Sequence, residues 1–346
     1  MSQKTILTGL QANSTFHIGN YVGAILPMIN AQKNLGADDM FLMFVPDLHS
    51  FTLPINHANF YQQILDNVKI YLAAGINPGL SNTLLYRQSF VPAHSELAWI
   101  LSCFSYMGEM GRMTQYKDKS EKHDNISVGL FTYPILMAAD ILLYGAQYIP
   151  LGDDQKQHIE IARDIAIRMN NKFELQAPNG LFTLPKPWKE QLDFMGVSEG
   201  IRIRSLSNPE KKMSKSTIDP KGTILLSDTP QDAAKKIMSA QTDTIGEIHW
   251  DWENQPGVTN LLQLYYLFGI ETREEAINYW TGKTRYGDLK KEVADKIETF
   301  LIDMQAKTRV IQDKEVETIL INGELQANLI SKKTLNRVQK VLGLRR

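Results

Sequence analysis

Short apolar runs, separated by longer stretches of helical periodicity, occupy the first quarter of the chain. Residues 5–7, 41–45 and 83–87 have the length and the β-branched or apolar composition of strands. Residues 56–74 instead carry apolar side chains at helical spacing and stop at Gly75. Strands that alternate with helices in this way predict a parallel α/β sheet.

The segments that follow the three strands are predicted to share one edge of that sheet. They are residues 9–15, 46–49 and 88–92. Because the carboxyl ends of parallel strands meet at one edge, and ligands of such sheets bind there, we expect these segments to form a functional rim.

The segment between the first strand and the first helix is small and polar. His17 and Asn20 open the helix and lie on one of its faces, because they are three residues apart. A helix N-terminus presents free N–H groups and the positive end of a dipole, which suit an anion. Both side chains can also donate hydrogen bonds to a phosphate. An ordinary turn with a satisfied histidine is the alternative.

A carboxylate interrupts the most apolar helix of the chain. Residues 93–119 have helical periodicity, and residues 117–125 are predicted to form an exposed loop. Residues 129–144 are then almost wholly apolar except for Asp140. Burying a carboxylate without a partner is costly, so Asp140 needs a dedicated hydrogen-bond donor. The protein or a ligand could supply that donor.

A second turn between a strand and a helix is rich in carboxylates. Residues 148–151 predict a strand, and a helix follows to about Met169. The turn between them contains Gly152, Asp153, Asp154 and Gln155. Carboxylates and an amide suit ribose hydroxyls or an ammonium group, and they would repel a phosphate.

Residues 210–216 form a loop rich in lysine and serine. Lys212 and Lys215 bracket Ser214, which combines positive charge with a hydroxyl donor and suits a polyphosphate. A solvated loop would have the same composition.

From residue 228 onward the strand pattern ends and helices take over. Thr229 is a candidate N-cap before Pro230, and residues 272–275 form a capping box. We predict an α/β domain at 1–229 with a helical insertion at about 92–145, an α-helical domain at 230–315, and C-terminal helices at 316–346 that pack back on the α/β domain.

The end of the chain is basic. The cations there are Lys332, Lys333, Arg337, Lys340, Arg345 and Arg346, with only two acidic residues after Val316. A solvated face is the default explanation of such a run, and a footprint for nucleic-acid phosphates is the alternative.

Composition excludes several classes of protein and of site. The 346 residues suffice for about two domains, and 43% hydrophobic with 22% charged residues is ordinary for a globular protein. A formal net charge of −1 indicates no global attraction to nucleic acid. Cys103 is the only cysteine, which excludes a disulfide framework and a four-cysteine metal site and favours a reducing cytosol. No signal peptide or membrane-spanning run is evident.

Several motifs in series resemble a known family. His17-Ile-Gly-Asn20 resembles the first signature of class I aminoacyl-tRNA synthetases, and Lys212-Met-Ser-Lys-Ser216 matches the second. Residues 132–144 and 150–160 are similar to bacterial-type tryptophanyl-tRNA synthetases specifically, as are residues 112–120 and 257–262. The resemblance runs over essentially the whole chain.

The resemblance implies a Rossmann-like catalytic domain, a helical anticodon-binding domain and a two-step reaction. Tryptophan would attack the α-phosphate of ATP, giving tryptophanyl-adenylate and pyrophosphate, and the adenylate would then acylate tRNA(Trp). Mg²⁺ is expected to accompany ATP, held mainly by phosphates and water. Relatives are cytoplasmic homodimers, and helices at 92–113 and 130–143 are candidates for the interface.

The resemblance also implies which residues contact each substrate. The catalytic groups would be Gln11, His17, Lys212 and Lys215, with Lys117 or Lys119 assisting. Gln11, His17, Lys212 and Lys215 would also contact ATP. The other ATP contacts would be Ala12, Asn13, Gly19, Asn20, Gly152, Asp153, Asp154, Ile203, Met213, Ser214 and Ser216. Asp140 would accept the indole N–H of tryptophan, Met137 would line the indole pocket, and Tyr133 and Gln155 would hold the ammonium. His49 would lie near the carboxylate or the adenylate, and a structural histidine after a strand is the alternative.

Three motifs depart from the family pattern. Gln11-Ala-Asn-Ser14 stands where Gln-Pro-Ser-Gly is usual, Asp47-Leu-His49 where Asp-Gln-His is usual, and Gly152-Asp-Asp-Gln155 where Gly-Glu-Asp-Gln is usual. These departures concern the detailed geometry around ATP. They leave the implied reaction unchanged.

Two other classes of function compete with a tryptophan–tRNA ligase. One is an enzyme of the same superfamily that uses another amino acid or transfers a nucleotide to a small molecule. The helical C-terminal domain argues against the small-molecule version. The other is a non-catalytic relative that senses tryptophan or tRNA, against which the intact second signature weighs.

Overall fold

The computed structural model describes residues 3–9, 12, 15–52, 54–80, 82–120, 126–150, 155–195, 202–214 and 220–346, and only the backbone at 118–120 and 195. Within these residues, a parallel sheet has the strand order β1 (Thr5–Gly9), β2 (Met40–Val45) and β3 (Thr83–Arg87). Leu7 lies opposite Leu42, which lies opposite Leu84. The strands and the parallel sheet predicted from the apolar runs are confirmed.

Helices connect and cover the strands. A continuous first helix consists of α1 (Ile18–Asn20), a π-helical turn (Tyr21–Ile25) and α2 (Leu26–Lys33). The others are α3 (Asp47–Ser50), α4 (Phe60–Ala74), α5 (Ala93–Ser102), α6 (Met107–Met110), α7 (Thr114–Ser120), α8 (Val128–Leu143), α9 (Lys156–Lys172), α10 (Trp188–Met195), α11 (Pro230–Met238), α12 (Pro256–Leu267), α13 (Arg273–Trp280), α14 (Tyr286–Val310) and α15 (Asp313–Val341).

Both faces of the sheet are buried. Phe41, Met43 and Val45 of β2 belong to one apolar cluster, whereas Leu42 and Phe44 belong to another. Successive side chains of a strand point to opposite faces, so a strand covered on both sides needs apolar residues at every position. The unbroken apolar run of β2 is therefore explained by its central place in the sheet.

The helical periodicity of residues 93–119 is divided among three helices in the structure. The hydroxyl of Ser105 donates to the backbone oxygen of Leu101 at 2.9 Å, just after α5 ends. Glu109 accepts from the backbone N–H of Tyr106 at 3.4 Å and so caps the start of α6. Side chains that bond to nearby backbone groups compete with helix continuation. Apolar spacing alone did not reveal these local stops.

The predicted strand at 148–151 is reduced to a single bridge in the residues that the structure describes. Tyr148 lies beside Ile6 in a parallel bridge, and its backbone oxygen accepts from the N–H of Leu7 at 2.9 Å. Leu151 lies outside the described residues. Tyr148 and Pro150 thus follow the outer edge of β1.

The C-terminal helices begin where the capping residues predicted. Thr229 accepts a hydrogen bond from the N–H of Asp232, and Thr272 forms a capping box with Glu275. Helix α11 packs on α14, which also packs on α12 and on α4. No helix in the described part of the chain is long and apolar enough to cross a bilayer.

The last helix closes the outer edge of β3. A Cβ atom at Gly323 would lie 2.0 Å from the backbone oxygen of Leu85, so only glycine allows this approach of α15 to the strand. One residue later, Glu324 receives two hydrogen bonds from Arg87, at 2.5 and 3.2 Å. The division at 229/230 and 315/316 stays a prediction, and α15 itself continues through residues 315 and 316.

Candidate active site

The first signature forms a closed cap at the start of α1. The backbone N–H of Asn20 donates to Nδ1 of His17 at 3.3 Å, and the backbone N–H of His17 donates to Oδ1 of Asn20 at 3.0 Å. This reciprocal capping box satisfies two backbone donors and holds both side chains in place. The N–H groups of Ile18 and Gly19 belong to the same first turn of the helix.

The His17 ring is held neutral. Burial lowers its pKa to about 4, and the positive charge of Lys212 adds to this effect. Nδ1 accepts a hydrogen bond, so the single ring proton resides on Nε2. His17 therefore offers a neutral N–H donor at neutral pH.

Gly19 allows the His17 ring to lie against the helix. A Cβ atom at position 19 would stand 2.9 Å from two atoms of that ring and 3.6 Å from Cβ of Ile203. A contact of 2.9 Å is shorter than carbon atoms tolerate, so a side chain would displace the ring. The same distances show that Ile203 lies beside the first turn of α1.

The second signature lies on a short hairpin next to that turn. The N–H of Met213 donates to the oxygen of Ile203 at 3.0 Å, and the N–H of Ser205 donates to the oxygen of Lys211 at 2.9 Å. Met213 is buried and anchors the hairpin in the core, while Lys212 is exposed. The oxygen of Ser214 accepts from the hydroxyl of Thr223 at 3.0 Å.

Backbone pairing then joins the hairpin region to the first signature. His17 forms an antiparallel bridge with Leu225, and the N–H of Ile18 donates to the oxygen of Ile224 at 3.0 Å. Two motifs about 190 residues apart in sequence are thereby brought together. His17 and Lys212 are close enough for the lysine charge to shift the histidine pKa.

Asp140 is buried, and the protein supplies donors to it. The Oδ1 atom accepts from Nε2 of Gln88 at 2.7 Å and from Nδ1 of His94 at 2.6 Å. The Oδ2 atom accepts from Nε2 of His49 at 2.8 Å. The sequence left open whether the protein or a ligand supplies a donor to Asp140. The structure confirms that the protein does.

These partners keep Asp140 ionised. Burial alone would raise its pKa, but the hydrogen bonds from His49 and His94 and their nearby rings outweigh burial and lower the pKa to about 2. Nε2 of His94 lies 3.0 Å from the hydroxyl of Tyr144, and burial raises the pKa of that phenol. A neutral phenol can donate to the histidine, which in turn donates to the carboxylate.

Of the residues assigned to tryptophan, His49 bonds to Asp140 and Tyr133 lies beside His49. The rings of His49 and Tyr133 meet edge to face with centroids 6.3 Å apart. The Tyr133 hydroxyl lies 2.6 Å from Nε2 of His158 and 3.0 Å from Oε1 of Gln115. Met137 is half-buried one turn before Asp140 on α8, and Gln155 directly precedes α9.

The predicted rim at the carboxyl ends of the strands is confirmed for β2 and β3. Asp47, just after β2, accepts from the backbone N–H of Ser89 at 2.8 Å and also from its hydroxyl. His49 and Gln88, from the same two segments, converge on Asp140. The chemistry-bearing side chains therefore collect where a parallel sheet exposes its strand ends.

Comparison with known proteins agrees with this geometry. The family model described as tRNA synthetases class I (W and Y) matches residues 2–302. A tryptophan–tRNA ligase from Caldanaerobacter subterraneus is 43% identical over 342 residues, which cover 99% of this chain and 98% of that protein. This chain belongs to the bacterial tryptophan–tRNA ligase family.

Solved structures of tryptophanyl-tRNA synthetases share the fold over the full chain. The enzyme from Mycoplasma pneumoniae superimposes with a TM-score of 0.83 at 34% identity, covering 99% of this chain and 98% of that one. The enzyme from Campylobacter jejuni, complexed with ADP and tryptophan, gives a TM-score of 0.79 at 33% identity, covering 98% and 99%. The α/β fold with a helical C-terminal region is therefore that of the family.

Several residues that the family resemblance assigns to catalysis or to ATP lie outside the described residues. They are Gln11, Asn13, Gly152, Asp153, Asp154, Lys215 and Ser216, and the side chain of Lys119. Ala12 is described and fully buried. Its oxygen accepts from Nδ2 of Asn67 at 2.8 Å.

Sequence reasoning did not identify some of the residues that support this ligase site. It placed Gln88 on the rim without a partner, and it passed over Asn67 on α4 and His94 on α5. Each is a polar residue at a buried position of an otherwise apolar face. A buried polar side chain needs a hydrogen-bond partner, so this pattern was the available signal.

Proposed function

We propose that this chain is an ATP-dependent tryptophan–tRNA ligase. The overall reaction has two steps: tryptophan and ATP give tryptophanyl-adenylate and pyrophosphate, and the adenylate and tRNA(Trp) give tryptophanyl-tRNA and AMP. The observation that carries the proposal is the proximity of the two signatures, in which neutral His17 lies within the electrostatic reach of Lys212. Family membership over the whole chain supports it.

Activation needs positioning and charge stabilisation rather than a protein nucleophile. The tryptophan carboxylate attacks the α-phosphorus, and the bond to the β-phosphate oxygen breaks as pyrophosphate leaves. In this proposal the backbone N–H of Gly19 and Nε2–H of His17 donate to phosphate oxygens, while Lys212 meets the negative charge that develops on the leaving group. Holding both substrates in line would provide much of the remaining acceleration.

Gln11, Lys215 and the other ATP residues assigned above complete this proposed site. We expect ATP to enter as its Mg²⁺ complex, with the ion held mainly by phosphate oxygens and water. Among the described residues, no group of three His, Cys, Asp or Glu side chains could hold a metal ion. In this proposal, phosphate binding in the described part depends on the backbone N–H of Gly19, on His17 and on Lys212.

Tryptophan recognition centres on Asp140 in this proposal. Its Oδ2 atom accepts one hydrogen bond from the described residues, that of His49, and a carboxylate oxygen can accept two. The indole N–H would take the second position, Met137 would contact the ring, and Tyr133 and Gln155 would hold the ammonium. Phenylalanine lacks the N–H, and rejection of an analogue that leaves a polar group unpaired reaches about 10⁴-fold.

We also infer that two copies associate through the face of α5, α6 and the start of α8. Trp99, Met107 and Val128 are 73%, 76% and 77% exposed on this face. Trp99 also lines a cavity of about 320 Å³ together with Phe51. Large exposed apolar side chains grouped in this way are typical of an interface between proteins. Analytical ultracentrifugation of wild type and Trp99→Asp tests this inference. We expect wild type to sediment as a dimer and Trp99→Asp as a monomer. A monomeric wild type would overturn the inference.

The activity itself is tested by exchange of labelled pyrophosphate into ATP with purified protein and each amino acid in turn. We expect pyrophosphate exchange with tryptophan, and aminoacylation of tRNA(Trp) when that tRNA is added. In the cell we expect the protein to act in the cytoplasm, where protein synthesis takes place. Exchange with a different amino acid only would indicate another synthetase, and the absence of exchange would indicate a non-catalytic relative. Exchange without aminoacylation would indicate a nucleotidyltransferase.

A further inference from the structure

A buried amide side chain of the C-terminal helices forms hydrogen bonds with the hairpin of residues 203–213, which carries the second signature. Asn260, on α12, is 1% exposed. Its Oδ1 atom accepts from the backbone N–H of Arg204 at 2.9 Å, and its Nδ2 atom donates to the backbone oxygen of Arg204 at 3.0 Å. A single side chain therefore satisfies both backbone groups of a residue 56 positions away.

Arg204 is the residue that faces Lys212 across the hairpin. The two form an antiparallel bridge, and the hydrogen bonds of the hairpin flank them on either side, at 2.9 and 3.0 Å. The N–H and oxygen of Arg204 consequently point away from Lys212, and Asn260 takes the place that a third strand would occupy. An isolated two-stranded hairpin is only marginally stable, so this support matters.

Other contacts of the helical region reinforce the same strand of the hairpin. The Arg204 guanidinium lies 4.3 Å from the ring centre of Trp252, a cation–π contact. The N–H of Gln241 donates to the oxygen of Leu206 at 2.7 Å. These contacts all involve residues 204–206, and residues 203–205 are hydrogen-bonded to residues 211–213, which include Lys212.

We propose that Asn260 is a positioning residue for Lys212: by clamping the Arg204 backbone, it sets where Lys212 stands relative to the His17 turn. The proposal rests on the function proposed above, in which Lys212 meets charge on the leaving pyrophosphate. Asn260 touches no substrate and acts through the hairpin. Misplacing a catalytic group by about 1 Å can reduce a rate by about 10²-fold.

The test uses Asn260→Leu, which keeps the volume and removes both hydrogen bonds. We expect kcat for tryptophan-dependent pyrophosphate exchange, normalised to active sites counted by adenylate formation, to fall about 10- to 100-fold. The dissociation constant for tryptophan, measured by equilibrium binding, should stay unchanged. Asp140 is held by His49, Gln88 and His94, and none of these residues belongs to the hairpin.

Gln255→Leu is the matched control. Gln255 is also a buried amide next to α12, but it bonds to the N–H of His249 at 2.9 Å and the oxygen of Glu247 at 2.8 Å, away from the hairpin. Both substitutions should lower stability. Only Asn260→Leu should lower kcat per active site.

A double-mutant cycle with Lys212→Ala separates positioning from general damage. If Asn260 acts through Lys212, then Asn260→Leu should change kcat by less than about twofold when Lys212 is already absent. Independent, multiplicative losses would overturn the proposal, as would an unchanged kcat in the single variant. Trp252→Ala supplies a second variant should Asn260→Leu not fold, and its loss of kcat should likewise disappear in Lys212→Ala.

Failure of the proposed function is distinguishable from failure of this inference. A wild-type protein that exchanges pyrophosphate with an amino acid other than tryptophan would contradict the proposed function, and the same cycle would then be run with that amino acid. If wild type exchanges no pyrophosphate with any amino acid, the readout becomes the rate of amide hydrogen exchange in the hairpin. Faster exchange at the Ser205 and Met213 amides in Asn260→Leu would then support the clamp, and unchanged protection would overturn it.

Discussion

The Nδ1 atom of His94 lies 2.6 Å from Oδ1 of Asp140, with both side chains almost fully buried. Because Asp140 is ionised, Nδ1 must carry a proton, and Nε2 of the same ring lies 3.0 Å from the Tyr144 hydroxyl. A chain of polar groups thus runs from Tyr144 through His94 to the carboxylate proposed to read the indole.

This arrangement predicts that His94 contributes to tryptophan recognition without touching it. His94→Leu removes a hydrogen bond to a buried charged group, which costs about 1.5–3 kcal/mol. We expect kcat/KM for tryptophan in pyrophosphate exchange to fall by about 10- to 100-fold for a loss of that size. His94→Asn, whose amide can still donate to Asp140, should retain most of the activity. Equal values for His94→Leu and wild type would contradict the role.

The neutral state of His17 predicts how stability depends on pH. The folded pKa of about 4 lies below the ordinary value of 6.5, so the unfolded state binds more protons between these values. The contribution of the neutral ring is complete above about pH 6.5 and declines as the pH falls toward 4, by about 2 kcal/mol between pH 7 and pH 5. Urea unfolding of His17→Asn, which keeps a capping acceptor but does not titrate, should show a smaller loss over that interval. An identical loss in both proteins would contradict the assignment.

The ion pair between Arg87 and Glu324 predicts that the last helix is integral to the fold. Both side chains are buried, at 3% and 7% exposure. Glu324→Gln leaves the guanidinium without its counter-charge, and breaking a buried pair in this way costs about 3–5 kcal/mol. Glu317→Gln on the same helix, which removes only the charge from an exposed acceptor of the Tyr61 hydroxyl, should cost less than about 1 kcal/mol. Urea unfolding compares the two, and similar costs would contradict the prediction.

The basic end of α15 predicts a contact with tRNA phosphates. Lys332, Lys333, Arg337 and Lys340 are exposed and form no ion pair with any residue that the structure describes. Lys332→Gln/Lys333→Gln should raise KM for tRNA and reduce the slope of log affinity against log salt by about 2, with pyrophosphate exchange unchanged. Lys172→Gln/Lys189→Gln removes the same charge elsewhere and is the control. Unchanged tRNA binding in the first variant would assign these cations to a solvated face.

Local chemistry accounts for the parts of the fold that were predicted well. Thr229 before Pro230 and Thr272 with Glu275 specify helix starts through contacts within one turn. The apolar run of β2 specifies a strand buried on both faces. The breaks around α6 were missed because Ser105 and Glu109 act through specific hydrogen bonds, which apolar periodicity does not register.

The sequence by itself determined the kind of chemistry this protein carries, since its two signatures, the lone carboxylate at 140 and the strand-end rim are all legible as residue types in order. Only the tertiary structure decided the partners. Asp140 is held by side chains 46 to 91 residues away, and Lys212 is supported through Arg204 by Asn260. Such contacts depend on how helices and strands pack, and a residue's own neighbours in sequence do not encode them. The opening turn at His17 acquires its neutral ring from burial and from Lys212 alike, so its charge state is also a product of the fold.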